Sequence, residues 1–258
     1  MAIAAIKNAS MLAAGVDFSA YSNMLQLEAM VEPKDSTTFS TSGWKTFLGV
    51  LKEASWNFSG FRSNTAEPDS IFYNPSTADP GVVLGATTQV SFPATATITN
   101  PLVEGDIAFN MRAIRNQIVA TGQVGELAGF NLALKGDQPM VRGRILATVA
   151  AASATASTTG FEVGATSATQ KLYASLHVTS ISTVGDTLDV IVESDDNSGF
   201  TSPTTRVTFT QVVSADGTHT AQWATPISGA ITDTYYRITA TIAGSSPSFS
   251  YVVFVGIQ

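Results

Sequence analysis

Two histidines, His177 and His219, are the whole imidazole inventory of this 258-residue chain, and there is no cysteine. Without cysteine there is no thiol nucleophile, thiolate zinc site, disulfide framework or redox pair. His177 falls on the expected polar face of a strand, and His219 just past an Asp-Gly turn. Both therefore read as solvent-facing, with general-base or metal-ligand roles as the alternative. No G-x-S-x-G, Gly-rich phosphate loop or H-E-x-x-H occurs. The recognisable enzyme classes are thus excluded, and a non-enzymatic chain without a cofactor is expected.

Three other constellations could carry chemistry. Asp189, Glu193, Asp195, Asp196 and Asn197 supply oxygen ligands around one turn, and Asp189, Asp195 and Asp196 are the candidates for a calcium ion. The spacing is not that of an EF-hand, and Asp and Asn are also ordinary turn residues, so a structural turn is the competing reading. A glycosidase pair would need one carboxyl with a raised pKa, which nothing in the sequence prepares. Trp44, Trp56 and Trp223 could stack on a sugar, although Trp56 fits a core strand and an exposed Trp44 equally suits a protein interface. Arg142 and Arg144 share one strand face and could meet phosphate, or could form ion pairs within or between subunits.

Composition points away from nucleic-acid binding and from a bare monomer surface. Only 13% of residues are charged, against about 25% in an ordinary globular chain, while 44% are apolar. A low-charge surface suits a subunit covered by copies of itself; a merely Ser/Thr-rich β protein is the alternative. The net charge is −7, with 10 basic against 12 acidic residues in 1–150 and 3 against 8 in 151–258, so neither half has a basic footprint. The Ala-rich start, residues 1–17, lacks a basic region ahead of an apolar core and reads as an arm, not a signal peptide. No stretch has the length and apolarity of a membrane span.

The elements that would position these residues are mostly strands. Period-two alternation recurs at Leu172, Ala174, Leu176 and Val178, at Leu188, Val190 and Val192, and at Tyr236, Ile238 and Ala240. Turn-rich stretches separate these runs, which indicates an antiparallel sandwich over 171–258. The last strand, with Phe249, Tyr251, Val253 and Val255 on one face and Val252 and Phe254 on the other, needs cover on both sides, from its own domain or from a neighbouring subunit. In the first half, Trp56, Phe58 and Gly60 share a strand face. Ile107, Met111, Ile114 and Ile118 fall at i, i+4, i+7 and i+11, which predicts a helix over about 106–121, opened by Glu104 and Asp106 and closed by Gly122. Residues 148–160 lack charge, aromatics and period. The expected organisation is an arm (1–17), a β domain with the helix (18–149), a connector and first edge (150–170) and a C-terminal sandwich (171–258).

The order of several segments resembles the tail tube proteins of long-tailed bacteriophages (siphophages). VEPKDSTTFSTSGWKTFLGVLKEASWNFSGF, residues 31–61, is similar to the opening of that family. EGDIAFNMRAIRNQIVATG sits where the family has its helix, PMVRGRILA resembles the strand that follows, and the C-terminal half resembles the sandwich modules appended to siphophage tail proteins. The resemblance implies an all-β chain with one packed α-helix: a tail-tube-type β-sandwich or barrel domain followed by an antiparallel, Ig-like β-sandwich. It further implies a virion protein made in the host cytoplasm, a homo-oligomer of hexameric rings stacked into a tube, other tail proteins as partners, and genomic DNA passing through the lumen without specific binding. Interface positions expected on this basis are Trp44, Phe61, Phe72, Tyr73 and Phe254, with the arm and the loop 62–80 as stacking segments. Another virion part, such as a head decoration or tail-tip protein, and a carbohydrate-binding β-sandwich module are the alternative readings.

Overall fold

The computed structural model describes residues 9–19, 21–37, 44–62, 83–90, 103–181, 185–217 and 219–258. These residues form β1 (Ala9–Ala13), β2 (Val16–Asp17), β3 (Ser22–Asp35), β4 (Phe47–Phe61), β5 (Val83–Val90), β6 (Ile107–Thr121), β7 (Gly129–Gly136) and β8 (Val141–Ala152). They continue with β9 (Ala156–Ser157), β10 (Phe161–Glu162), β11 (Lys171–Ser180), β12 (Thr187–Asp195), β13 (Thr204–Thr208) and β14 (Val212–Val213), then β15 (Thr220–Trp223), β16 (Ile227–Ser228), β17 (Tyr235–Ala243) and β18 (Phe249–Ile257). The chain divides into two compact units, one of Met1–Ala20, Leu84–Asn110 and Val141–Gln258, the other of Tyr21–Val83 and Met111–Met140. This division differs from the expected boundary at 150–170. That stretch is knitted into the first unit, because β9 and β10 pair with β17 and the end of β8 pairs with β18.

The first unit holds a sandwich. One sheet runs β15-β11-β18-β8 and the other β10-β17-β12-β13, all pairs antiparallel. Leu172, Ala174, Leu176 and Val178 of β11 meet Val190 and Val192 of β12 and Ile238 and Ala240 of β17 in one apolar core. Period-two alternation produces this core by aiming every second side chain inward.

The other face of β11 and β18 is covered as well. Leu12, Ala108, Val141, Ile145, Tyr173, Val252 and Phe254 form a second cluster, with Trp223 packed against it. The cover for the last strand therefore comes from its own chain. Residues 9–17 are likewise no free arm: Met11, Leu12, Ala13 and Val16 are buried, as is the adjoining Phe18. Gly15 makes the β1–β2 turn at φ +82°, and a Cβ there would stand 2.5 Å from the Thr220 carbonyl oxygen and 2.7 Å from that of Val178, so only glycine fits this approach. Residues 1–8 lie outside the described residues.

The predicted helix over 106–121 is overturned: these residues form the 15-residue strand β6. Ala108 and Asn110 are buried in the first unit, whereas Met111 and Ala113 are buried in the second. The inward parity thus changes by one residue in mid-strand. Of the expected stripe Met111 is buried, while Ile107 and Ile114 are half-buried, each on the face opposite its own unit's buried β6 residues. Neighbours then decide the outcome, since Ile107–Asn110 pairs with β8 and Ala113–Thr121 with β7, and the Ile, Val and Phe content suits a pleated, half-buried surface.

In the second unit β4 pairs β3 on one side and β7 on the other, and β7 pairs β6. Ala54, Trp56, Phe58 and Gly60 point inward, alternating with half-buried Ser55, Asn57 and Ser59. Their core partners are Phe130, Leu132 and Leu134 of β7. The Trp56 indole N–H donates to Met140 Sδ at 3.1 Å, which satisfies its buried polar atom. Lys135 pairs with Glu53, and Arg112 with Asp137 at 3.0 Å.

Candidate functional site

The residues singled out for chemistry do not converge. His177 is fully buried, contrary to the solvent-facing expectation, because the second face of β11 is covered; burial pushes its pKa down to about 4. Beside it on that face, Ser175 is also buried, and its Oγ accepts the Asn110 side-chain N–H at 2.7 Å. His219 is half-buried near the start of β15.

The calcium candidates are strung along one strand. Asp189 and Asp195 lie six residues apart on β12, roughly 20 Å at the rise of a strand, too far to share an ion. Each acid is already engaged locally. Asp195 accepts the backbone N–H of Asn197 at 3.0 Å and of Ser202 at 2.9 Å; these bonds, the Ser202 one first, hold its carboxyl below the ordinary range. Asp196 is pushed up by its hydrogen bond to Asp195 and by that charge. Asp189 accepts from Gln211 at 2.8 Å, and Glu193 takes Arg237 and Thr239, each at 2.9 Å. No group of three or more metal-ligating side chains is assembled among the described residues. The acidic run is a turn and a set of cross-strand anchors.

The tryptophans form no platform, since Trp56 is core and Trp223 packs edge-on to Tyr173 with ring centroids 6.5 Å apart. Arg144 is spent on the carbonyls of Glu162 (2.9 Å) and Gly105 (2.7 Å), leaving Arg142 exposed at a cleft of about 330 Å³ that Glu162 also lines. A polar knot not visible in the sequence ties Ser194, Arg206 and Asp233 together: Ser194 Oγ donates to Asp233 at 2.6 Å, and Arg206 donates to both. The Ser194 bond, followed by Arg206, keeps the Asp233 carboxyl low, so it is an anchor and not a base.

What the molecule does present is an apolar ribbon. β4 has β7 beside it only from Ser55 to Phe61; from Phe47 to Ala54 its described partner is β3 alone. The distal ribbon thus runs about 26 Å beyond the end of β7. Residues 29–37 and 44–49 are all exposed, and so are 51–53. Trp44 is 79% exposed, Leu51 64%, Leu48 62% and Phe47 61%, with Met30 and Val31 about half exposed opposite them. Two strands with water on both faces bury too little to be stable alone.

Of the expected interface positions, Trp44 is at the free tip of the ribbon, just before β4, and Phe61 is exposed at the strand's other end, whereas Phe254 is buried within the chain and is corrected to a core residue. Phe72 and Tyr73 lie outside the described residues. Sequence reasoning missed Phe47, Leu48 and Leu51. Their signal was FLGVL, apolar at both parities ahead of the Trp56 alternation.

No family model matches the sequence, and no curated protein matches it. Solved structures give slight likenesses. A chain in the virion of a native gene transfer agent is 16% identical, with a TM-score of 0.37 over 50% of this chain and 92% of that one. One in the anti-feeding prophage baseplate is 11% identical, with a TM-score of 0.41 over 55% and 97%. The SPP1 Dit protein, a hub of the adsorption apparatus of phages infecting Gram-positive hosts, is 14% identical, with a TM-score of 0.35 over 98% and 100%. Likenesses this slight carry no function to this chain.

Proposed function

We propose that this chain is a self-assembling structural subunit of a phage tail, of the tail tube type. The observation that carries the reading is the ribbon of β3 and β4, whose apolar side chains have no cover within their own unit. The segment that resembles tail tube proteins, residues 31–61, ends in this ribbon's second strand and begins in its first. The resemblance is weaker at 104–122, where the family's helix is replaced by β6.

Its action is passive. Copies associate through the ribbons into rings, with six subunits expected from the resemblance, and stacked rings enclose a channel. A subunit with net charge −7 and no basic patch lets DNA slide without gripping it. Other tail proteins cap the tube, and the assembled virion is its place of work. Negative-stain electron microscopy of the concentrated protein tests this. Rings or hollow tubes are expected, and particles that stay single at every concentration would overturn it.

A further inference from the structure

The second unit carries two exposed apolar patches, and they stand at opposite ends of one sheet. At one end is the ribbon tip, with Trp44, Phe47, Leu48 and Leu51. At the other, Phe61 pairs with Gly129 and Gly129 with Thr121, which brings the end of β4 beside the β6–β7 loop. There Leu127 is 75% exposed, and Phe61, Val119 and Val124 are exposed too. Building on the assembly reading above, we infer that these two ends dock on each other in successive copies: the ribbon of one subunit seats on the Phe61, Val124 and Leu127 end of the next.

Three observations support a second copy as the occupant. The six apolar side chains of the ribbon, divided between its two faces, together expose on the order of 700 Å², which approaches the ~800 Å² that one partner gives to a standard interface only if the partner wraps the tip, and the loop end offers on the order of 450 Å² of apolar surface. Shape agrees, because the tip protrudes while the loop end is hollowed by an open depression of about 470 Å³ between Thr121 and Leu127. Charge does not steer the pairing: residues 29–37 and 44–53 carry Lys34, Lys45 and Lys52 against Glu32, Asp35 and Glu53. Finally, the outer edge of β3 discourages strand addition: Pro33 lacks an N–H, Glu32 and Lys34 pair across it, and the register shifts between Val31 and Pro33. The modes left are contact through side-chain faces and pairing along the edge of β4 from Phe47 to Ala54, which has no described partner beyond β3.

Docking of unlike ends is heterologous, so it propagates from copy to copy and closes into a ring or continues as a filament according to the rotation between subunits. A ribbon that paired with another ribbon would instead stop at a dimer.

The chain has no cysteine, which makes cross-linking a direct test in the full-length protein. A double variant, Leu48→Cys with Leu127→Cys, is assembled and oxidised; a ladder of covalent multimers on a denaturing gel is expected. Each single variant alone is expected to give none. Dimers from Leu48→Cys alone would overturn the inference in favour of ribbon-to-ribbon pairing. Separately, Leu127→Asp is expected to raise the protein concentration needed for assembly at least tenfold while leaving the melting temperature unchanged. Assembly of Leu127→Asp at the wild-type concentration would overturn this inference but leave the tail-tube reading standing. A wild-type chain that never associates overturns both.

Discussion

β18 and the distal half of β4 share a sequence signature, apolar side chains on both faces, yet they end in opposite surroundings. Phe249–Ile257 is buried on both sides, by the sandwich core and by the cluster around Leu12 and Ile145. Phe47, Leu48 and Leu51 face water on both. The pattern states that a strand needs cover twice; it does not state who supplies it. In the first unit the chain's own N-terminal strands do so. In the second, no described segment reaches past the end of β7.

The contrast is sharpest in what truncation should do. Phe254→Ala removes a fully buried ring and is expected to lower stability by about 3–5 kcal/mol, measured as a drop in the urea midpoint with unchanged slope. A loss below 1 kcal/mol would mean that the second face of β18 is not closed. Next in size is an acid effect confined to the buried region. His177 titrates near 4 when folded and near 6.5 when unfolded, so the unfolded chain binds the proton first. Stability is full above pH 6.5, falls as pH drops toward 4 and then levels for this group, a loss of about 3 kcal/mol in all. His177→Gln should flatten that window; below it, protonation of Asp195 and Asp233 adds its own loss. Least disturbing to the folded subunit is Leu51→Ser on the ribbon, expected within about 0.5 kcal/mol of wild type by the same urea measurement, although it should impair assembly. A cost of several kcal/mol would show the ribbon to be internally packed and would break the comparison.

Much of the strand layout was legible because one buried face imposes a period of two. Trp56 and Phe58 alternate with Ser55 and Asn57, and Tyr236, Ile238 and Ala240 alternate in the same way, as the sequence indicates. His177 was misread because Leu172, Ala174, Leu176 and Val178 already account for one covered face, and Tyr173, Ser175 and His177 are polar enough to pass for the wet one. The β6 stripe was misread because Ile107 and Ile114 sit half-buried on the face opposite their own units' buried residues, and because the inward parity changes between Asn110 and Met111. That depends on which unit covers which residue, and periodicity within one segment cannot carry it. Of the proposed assembly surface, Trp44 and Phe61 could be picked by type. Leu48, Leu51 and Leu127 could not, since an exposed leucine and a core leucine look alike until the neighbouring strands are counted.

Leu12 and Phe254 share one apolar cluster although they lie near opposite ends of the numbered sequence. Closing a loop of that length costs chain entropy that no intermediate contact repays at once, and folds dominated by distant pairings form slowly. The β3–β4 and β6–β7 hairpins join sequence neighbours, and pairing of β4 with β7 closes a much shorter loop than Leu12 with Phe254, so the second unit can form early. The sticky element is therefore expected to exist before the last strand of the other unit is seated. Nascent chains at high density would then meet through their ribbons while still incompletely folded. The lever on yield of assembly-ready subunits is accordingly the rate and density of synthesis, more than any added stability of the finished fold.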